Sequence, residues 1–462
     1  MTSASHDQKV REICRQLQSR SGNGHLSLKK DGVSHMVPNP RDPRHKDQKV
    51  NVRDLKDILH IDSKKRLCVA EPGVPFSRLV VETLKHGLVP MLVPELKTIT
   101  IGGAVSGCSV ESMSFQYGGF HDSCLEYEII TAQGGLLTCS PEKNSDVFHM
   151  IHGSYGTLGI ISKLTFRLVP AKPYVRMDYT TYPTFEQLAD AMRAHIRAQD
   201  ADFMDAIVHA ADRNVLCIGT FIAERPKGVR PSDYTWLHIY YKSTREKTRD
   251  YLTAFDYFFR YDTECHWLSR TIPGMETRLF RFLFGKLLLS STNLLTWSKR
   301  LAPILKFDKR PDVVVDVFIP SRNLEAFYKD YVQKIRYFPL WIVPYKRVQS
   351  YPWIDDAYDK KIGDDVFFDV AVYGLGNRRR DVNYYELLEK MVLAHRGIKT
   401  LISHNFYDRK TFWTIYNRKN FEKIKKRTDP NNLFRDLYDK FHFNLPDRVP
   451  DEGTQTKTGG VS

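Results

Sequence analysis

The stretch Pro94-Glu95-Leu96-Lys97-Thr98-Ile99-Thr100-Ile101-Gly102-Gly103-Ala104-Val105-Ser106-Gly107-Cys108, continued by Glu111-Ser112-Met113-Ser114-Phe115-Gln116-Tyr117-Gly118-Gly119, is a dense patch of glycine and small hydroxyl residues. Glycine lets a backbone approach a flat or anionic ligand closely. Consecutive exposed N–H groups make an anion nest, and Ser and Thr hydroxyls can bond phosphate or the polar edge of a heterocycle. A second cluster, Gly153-Ser154-Tyr155-Gly156-Thr157-Leu158-Gly159-Ile160, runs straight into a strand-like segment. On composition alone, both clusters read equally well as tight turns of a β domain or as a ligand cradle.

Upstream, Val10, Ile13, Cys14 and Leu17 stand at helical spacing, and Gly22 follows. His25 to Lys29 and Leu67 to Ala70 have strand length. Phe76 to His86 reads as a helix with Gly87 as its left-handed cap. Ile99 to Val105 reads as a strand broken by Gly102-Gly103. Tyr127 to Ala132 and Leu136 to Cys139, around Gly134-Gly135, read as a hairpin. Ile160 to Leu168 alternates as one long strand, and Pro170 and Pro173 then mark a boundary.

The second region reads as an α+β layer. Thr184-x-x-Gln187 is a capping box ahead of Leu188, Met192 and Ile196. Val313 to Ile319 and Val366 to Tyr373 alternate as strands. Leu324 to Ile335 and Tyr384 to His395 read as helices, the latter stopped by Gly397. Thr411 to Arg427 reads as one helix ending at Asp429-Pro430.

A chain of 462 residues exceeds one ordinary domain. With 42% hydrophobic and 27% charged residues it has the composition of a globular protein. Seven scattered cysteines without a CxxC pair argue against a zinc ribbon or a secreted disulfide scaffold. Met1 to Val10 is polar, with no signal-peptide core, and the longest uncharged apolar run, Leu287 to Ser298, is too short to span a bilayer. The expected location is therefore cytoplasmic, not secreted and without a transmembrane helix. The net charge of +15 is spread along the chain, so a basic solvated surface, not nucleic-acid binding, is expected. No GxGxxG follows a strand, and neither GxxxxGK[ST] nor HExxH occurs. His149 and His152 alone make an incomplete metal site, so no metal is expected.

An ordered series then becomes visible: Gly87-Leu88-Val89-Pro90, Val93-Pro94-Glu95, Thr100-x-Gly102-Gly103, Gly107, Ser112-x-x-x-x-Tyr117-Gly118, Gly134, Asp146-x-Phe148 and Gly156-x-Leu158-Gly159-Ile160. It resembles the FAD-binding domain of the vanillyl-alcohol oxidase and p-cresol methylhydroxylase superfamily. Within that superfamily it is most similar to the Δ24-sterol reductase (Diminuto) group. That likeness rests on Val93 to Leu96, Gly107-x-x-x-Glu111-Ser112, Pro170-Ala171-Lys172-x-Tyr174-Val175, Arg281 to Gly285, Pro339-Leu340-Trp341, Asp369 to Gly374 and Phe412-Trp413. Two departures stand out. The group's N-terminal membrane anchor has no counterpart here. The pyrophosphate loop, an Arg-Gly-x-Gly-His-Ser type of turn, has only imperfect matches at Gly22-Asn23-Gly24-His25 and Gly32-Val33-Ser34-His35.

The resemblance implies an α+β fold: a two-subdomain FAD-binding domain over residues 1–175, an α+β substrate or cap domain over 176–400, a segment 401–446 returning to the FAD domain, and a disordered tail at 447–462. It implies FAD contacts from Ser34, His35, Pro94, Thr100, Gly102, Gly103, Gly107, Cys108, Ser112, Tyr117, Gly118, Gly156, Gly159 and Ile160. His25, His35, His121 and Cys108 leave covalent attachment open, with a non-covalent cofactor expected. Flavin carries hydride through N5, and the protein must add a proton donor or base. Asp369, Tyr373, His404 and Tyr407 are the candidates. Asp369 and Tyr373 share a strand face four residues apart. The expected activity is reduction of a sterol- or prenyl-like alkene with NADPH as electron donor. The alternatives are oxidation of a sugar, aldonolactone or polyprenyl-linked sugar, and a binding protein without turnover. The partner expected is a small-molecule or lipid substrate. Residues 279–295, apolar with basic flanks, suggest peripheral contact with a membrane. The oligomeric state stays open.

Overall fold

The computed structural model describes residues 5–20, 22, 24–31, 43–293, 296–297, 312–377, 379 and 381–442. The Gly32 to His35 turn, with Ser34 and His35, lies outside the described residues, as does the expected tail.

The first half is built on β1 (Leu26–Lys29) parallel to β2 (Gln48–Asn51), and on an antiparallel sheet of six strands. That sheet runs β3 (Ile58–Asp62), β4 (Leu67–Ala70), β8 (Ile160–Pro170), β6 (Cys124–Ile130), β7 (Leu136–Cys139), with β5 (Leu88–Pro90) also on β8. The N-terminal helix His6–Gln18 starts on a capping box formed by Ser5 and Gln8. It buries Val10, Ile13 and Leu17 against Leu26, Val50, Ile130 and Ile160. His6 and Lys9 tie it to Glu71, Glu128 and Asp57.

The second half is an eight-stranded antiparallel sheet. Its order is β12 (Arg249–Thr253), β9 (Tyr174–Tyr182), β11 (Arg213–Ile222), β10 (Phe203–Ala210), β14 (Leu340–Lys346), β15 (Val366–Leu375), β13 (Val313–Pro320), β16 (Ile398–Lys399). Strict alternation gives it two apolar faces. Val313, Val315, Val317 and Ile319 meet Phe185, Leu188, Phe327 and Leu388 of the helices Phe185–Ala198, Leu324–Lys334 and Tyr384–Ala394. The opposite face, with Ile207, Trp341, Val343, Tyr345 and Phe367, shares one core with Val105, Phe120 and Ile151 of the first half. The chain then returns: Lys425 Nζ donates to Thr157 O (2.9 Å), and Leu26 N donates to Leu433 O (2.7 Å).

Three local expectations need correction. Ile99 to Val105 is not a strand; Ile101–Ser106 is a short helix after Thr100. Its buried residues Ile101, Ala104 and Val105 stand at i, i+3, i+4, a helical period that the glycine pair obscured. Thr411 to Arg427 is two helices, Arg409–Ile415 and Arg418–Thr428, because Asn417 accepts from Asn420 N (3.0 Å) and starts a new one. Finally, Arg396 (φ 58°), not Gly397, takes the left-handed conformation after Tyr384–Ala394. Gly397 is small for another reason: a Cβ there would stand 2.6 Å from Phe318 O.

Candidate functional site

A cavity of about 70 Å³ opens between the halves. Gly107, Cys108, Val110, His121, Gly153 and Tyr155 wall it on one side. Phe318, Tyr345 and Phe367 of the large sheet, with Trp353 and Tyr416, form the aromatic wall opposite. The first wall depends on unusual backbone. Cys108 (φ 52°) and Gly153 (φ 64°) are both left-handed, and a Cβ on Gly153 would lie 3.3 Å from Cys108 Sγ. Tyr155 spans the gap, its hydroxyl accepting from Leu401 N at 2.9 Å.

The cavity's polar groups sit in few places. His121 is 1% exposed, and neither ring nitrogen has a hydrogen-bond partner among the described residues. Burial pushes its pKa down, so the ring is neutral at pH 7. Burial likewise pushes the Cys108 thiol well above its usual range, so it is no thiolate. Tyr345 touches Tyr351 hydroxyl to hydroxyl, and Tyr351 donates to Asp122 Oδ2 at 2.6 Å. Lys399 is buried, its ammonium held by Glu389 and by His404 O (2.6 Å).

Beside the cavity, a charged seam joins the halves. Arg260 Nη2 donates to Glu111 Oε1 (2.9 Å) and Asp205 Oδ2 (3.2 Å), and its guanidinium lies over the Tyr257 and Tyr261 rings. Tyr261 and Trp341 also donate to Asp205, and Tyr257 donates to Ser112 Oγ at 2.9 Å. Burial pushes the Glu111 carboxyl up to about 7, and the Arg260 charge opposes that shift.

The residues expected from the sequence fall into three groups. Gly107 and Cys108 line the cavity. Gly103 is exposed, its nearest atom to an added Cβ being Thr100 Oγ1 at 3.3 Å. Gly156 (φ 73°) faces space with only Leu28 at 4.0 Å. A second group is engaged inside the protein. Gly102 packs on Pro72, where a Cβ would stand 2.4 Å from the proline Cβ. Pro94 is buried, and the Ser112 hydroxyl belongs to the seam. Gly118 (φ 77°), next to Tyr117, leaves room for Asp122. Gly159 (φ 138°) leads into Ile160 at the start of β8 and packs on Ile129.

The four catalytic candidates form the third group and do not line this cavity. Tyr407 donates to Glu389 O (2.9 Å), and His404 is buried beside Lys399. Tyr373 donates to Asp316. Asp369 is 2% exposed with Oδ1 lacking a partner. Burial, then Asp316 and Glu95, hold Asp369 well above the carboxylate range; burial pushes Asp316 up to about 7. The cavity's aromatic wall and the seam were not singled out from sequence. The alternation Trp341, Val343, Tyr345 was the available signal for the wall.

Among the described residues no group of His, Cys, Asp and Glu could hold a metal, and no helix is long and apolar enough to cross a membrane. The exposed Gly103, the uncrowded Gly156 and the cavity's aromatic wall suit a flat, phosphate-bearing group such as a flavin.

The comparisons with known proteins agree. Residues 35–140 match the family model of the FAD binding domain, and this domain is of the p-cresol methylhydroxylase type. The chain is similar to Delta(24)-sterol reductase of Homo sapiens, 26% identical over 455 residues covering 94% of this chain and 86% of that protein. It is similar to the Arabidopsis thaliana Delta(24)-sterol reductase, 24% identical over 475 residues, 94% of this chain and 84% of the other. A shorter likeness, 33% over 140 residues, joins 30% of the chain to 27% of cytokinin dehydrogenase 9 of Oryza sativa subsp. japonica. The protein is thus a FAD-binding oxidoreductase, related at low identity to the sterol reductases.

Proposed function

We propose that this protein reduces a carbon–carbon double bond in a lipophilic, sterol- or prenyl-like substrate, using non-covalently bound FAD and electrons from NADPH. The observation that carries the reading is the cavity: an apolar, aromatic wall from the large sheet faces the glycine-rich turn of the FAD-binding domain. The names of the full-length relatives point the same way. When bound, FAD supplies hydride transfer through its N5. Gly103, Gly107, Cys108, Gly153 and Gly156 would hold it, and the rings of Phe318, Tyr345 and Phe367 would exclude water from the other side. A buried, neutral His121 and a protonated Cys108 thiol favour non-covalent binding.

A second feature suits a lipid substrate. The helix Arg278–Leu288 is anchored through buried Arg281, which donates to Trp236 O (2.7 Å) and His238 O (3.0 Å). Leu279, Phe282, Leu283 and Leu287 are left 58–70% exposed, beside the exposed cations Arg278 and Lys286. This face would rest on an anionic bilayer. Flotation with phosphatidylserine vesicles would carry the wild type and release a Leu283→Asp, Leu287→Asp variant; equal flotation of both would remove this surface.

Anaerobic mixing tests the activity. NADPH should bleach the flavin, and a sterol alkene should restore its colour with one equivalent of saturated product. Rapid oxygen consumption with a sugar lactone, with no response to NADPH, would overturn the reading.

A further inference from the structure

One end of the cavity is closed by a hydrogen-bond chain with a single polarity. Tyr351 has one hydroxyl hydrogen, and it goes to Asp122 Oδ2 at 2.6 Å. The Asp122 carboxylate accepts only, and it also receives Gly119 N (2.8 Å) and Gln349 Nε2 (2.6 Å). The Tyr345–Tyr351 contact must therefore use the Tyr345 hydrogen. With that hydrogen engaged, the Tyr345 oxygen offers only lone pairs to whatever shares the cavity. His121 stands in the same wall, buried and without a hydrogen bond, its Nε2 3.4 Å from Asp122 Oδ2. Buried polar groups left without partners are costly, which marks this end as one that a polar ligand group completes.

We propose that the Tyr345 oxygen, oriented by Tyr351 and Asp122, is an acceptor subsite for a hydrogen-bond donor on the cavity's ligand. This rests on the reading of the cavity as the flavin and substrate site. The donor is the hydroxyl of a lipophilic alcohol or the ring N–H of the isoalloxazine; the chemistry is the same for both. Tyr351 and Asp122 are positioning residues here, acting through Tyr345.

The experiment uses the FAD-loaded full chain. Binding of a polycyclic terpenoid alcohol and of its O-methyl ether is read from the perturbation of the flavin spectrum, and FAD affinity is read separately by fluorescence. Where the substrate hydroxyl is the donor, the wild type should prefer the alcohol by roughly tenfold or more. If the donor is the substrate hydroxyl, Tyr345→Phe removes that preference and leaves FAD affinity unchanged. If the donor is the isoalloxazine, the same variant weakens FAD by a comparable factor and leaves the alcohol-to-ether ratio alone. Either result supports the subsite; a folded Tyr345→Phe protein that changes neither quantity overturns it. Tyr351→Phe is an independent variant, since it frees the Tyr345 hydrogen to donate. Tyr351→Phe should then shift whichever quantity Tyr345→Phe shifts, the alcohol-to-ether ratio or the FAD affinity, and a folded variant that moves neither also overturns the subsite. A wild type that takes up no FAD would instead sink the functional reading beneath it.

Discussion

Two patches of the same sheet face meet the same glycine-rich segment and treat polar groups in opposite ways. At the seam, Arg260, Glu111 and Asp205 find one another, and Tyr257, Tyr261, Trp341 and Ser112 complete the cluster. In the cavity, reached from the seam by moving from Glu111 back to Cys108, aromatic rings face an opening and His121 keeps both nitrogens without hydrogen bonds. Buried charges must be paired, and the seam pairs its charges internally, which fixes geometry although Asp205 Oδ1 and Arg260 Nε have no hydrogen-bond partner among the described residues. In the cavity the unmet polar groups stand beside an opening that a ligand can enter. The difference separates what locks the two halves from what works between them.

The largest effect should come from breaking the seam. Arg260→Met leaves two buried carboxylates uncompensated, a loss of about 3–5 kcal/mol. Chemical denaturation measures it, and adding Glu111→Gln with Asp205→Asn should restore much of the loss. A single variant as stable as wild type would mean that the seam does not hold the halves.

The next effect tests the cradle. Gly103→Val meets only the Thr100 hydroxyl, 3.3 Å from the added Cβ and able to turn aside, so it should fold and lose FAD. Gly102→Val collides with Pro72 and should lose stability first. Equal flavin content in Gly103→Val and wild type would remove Gly103 from the cofactor site.

The smallest effect is pH-dependent. Asp316 and Asp369 have folded pKa values raised above those of the unfolded chain. Their contribution to stability is fully present below the ordinary carboxylate range, and for Asp316 it is lost as pH rises through about 7. Asp316→Asn does not titrate, so its stability relative to wild type should be greater at pH 8 than at pH 4. A difference independent of pH would show that Asp316 ionises normally in the fold.

The FAD-binding domain was legible in the sequence because its signal is local. Glycines and hydroxyls at fixed spacing carry the pattern from Val93 to Ile160, and alternation exposes β8, β13 and β15. The cavity's far wall was not legible. Phe318, Tyr345 and Phe367 come from three strands paired only in space, and alternation cannot say which apolar face meets helices and which meets the FAD-binding domain. The seam was hidden for the same reason, since Glu111 and Arg260 lie 149 residues apart. Ser112 shows the limit from the other side. Its motif stood out, yet its hydroxyl is engaged by Tyr257 and Glu111 rather than facing the cavity.

The most direct measurement is the visible spectrum of the purified protein before and after acid precipitation. Flavin absorbance in the native protein that moves wholly into the acid supernatant is the predicted result, reporting a bound and non-covalent cofactor together. A colourless protein that takes up no added FAD would contradict the account at its centre.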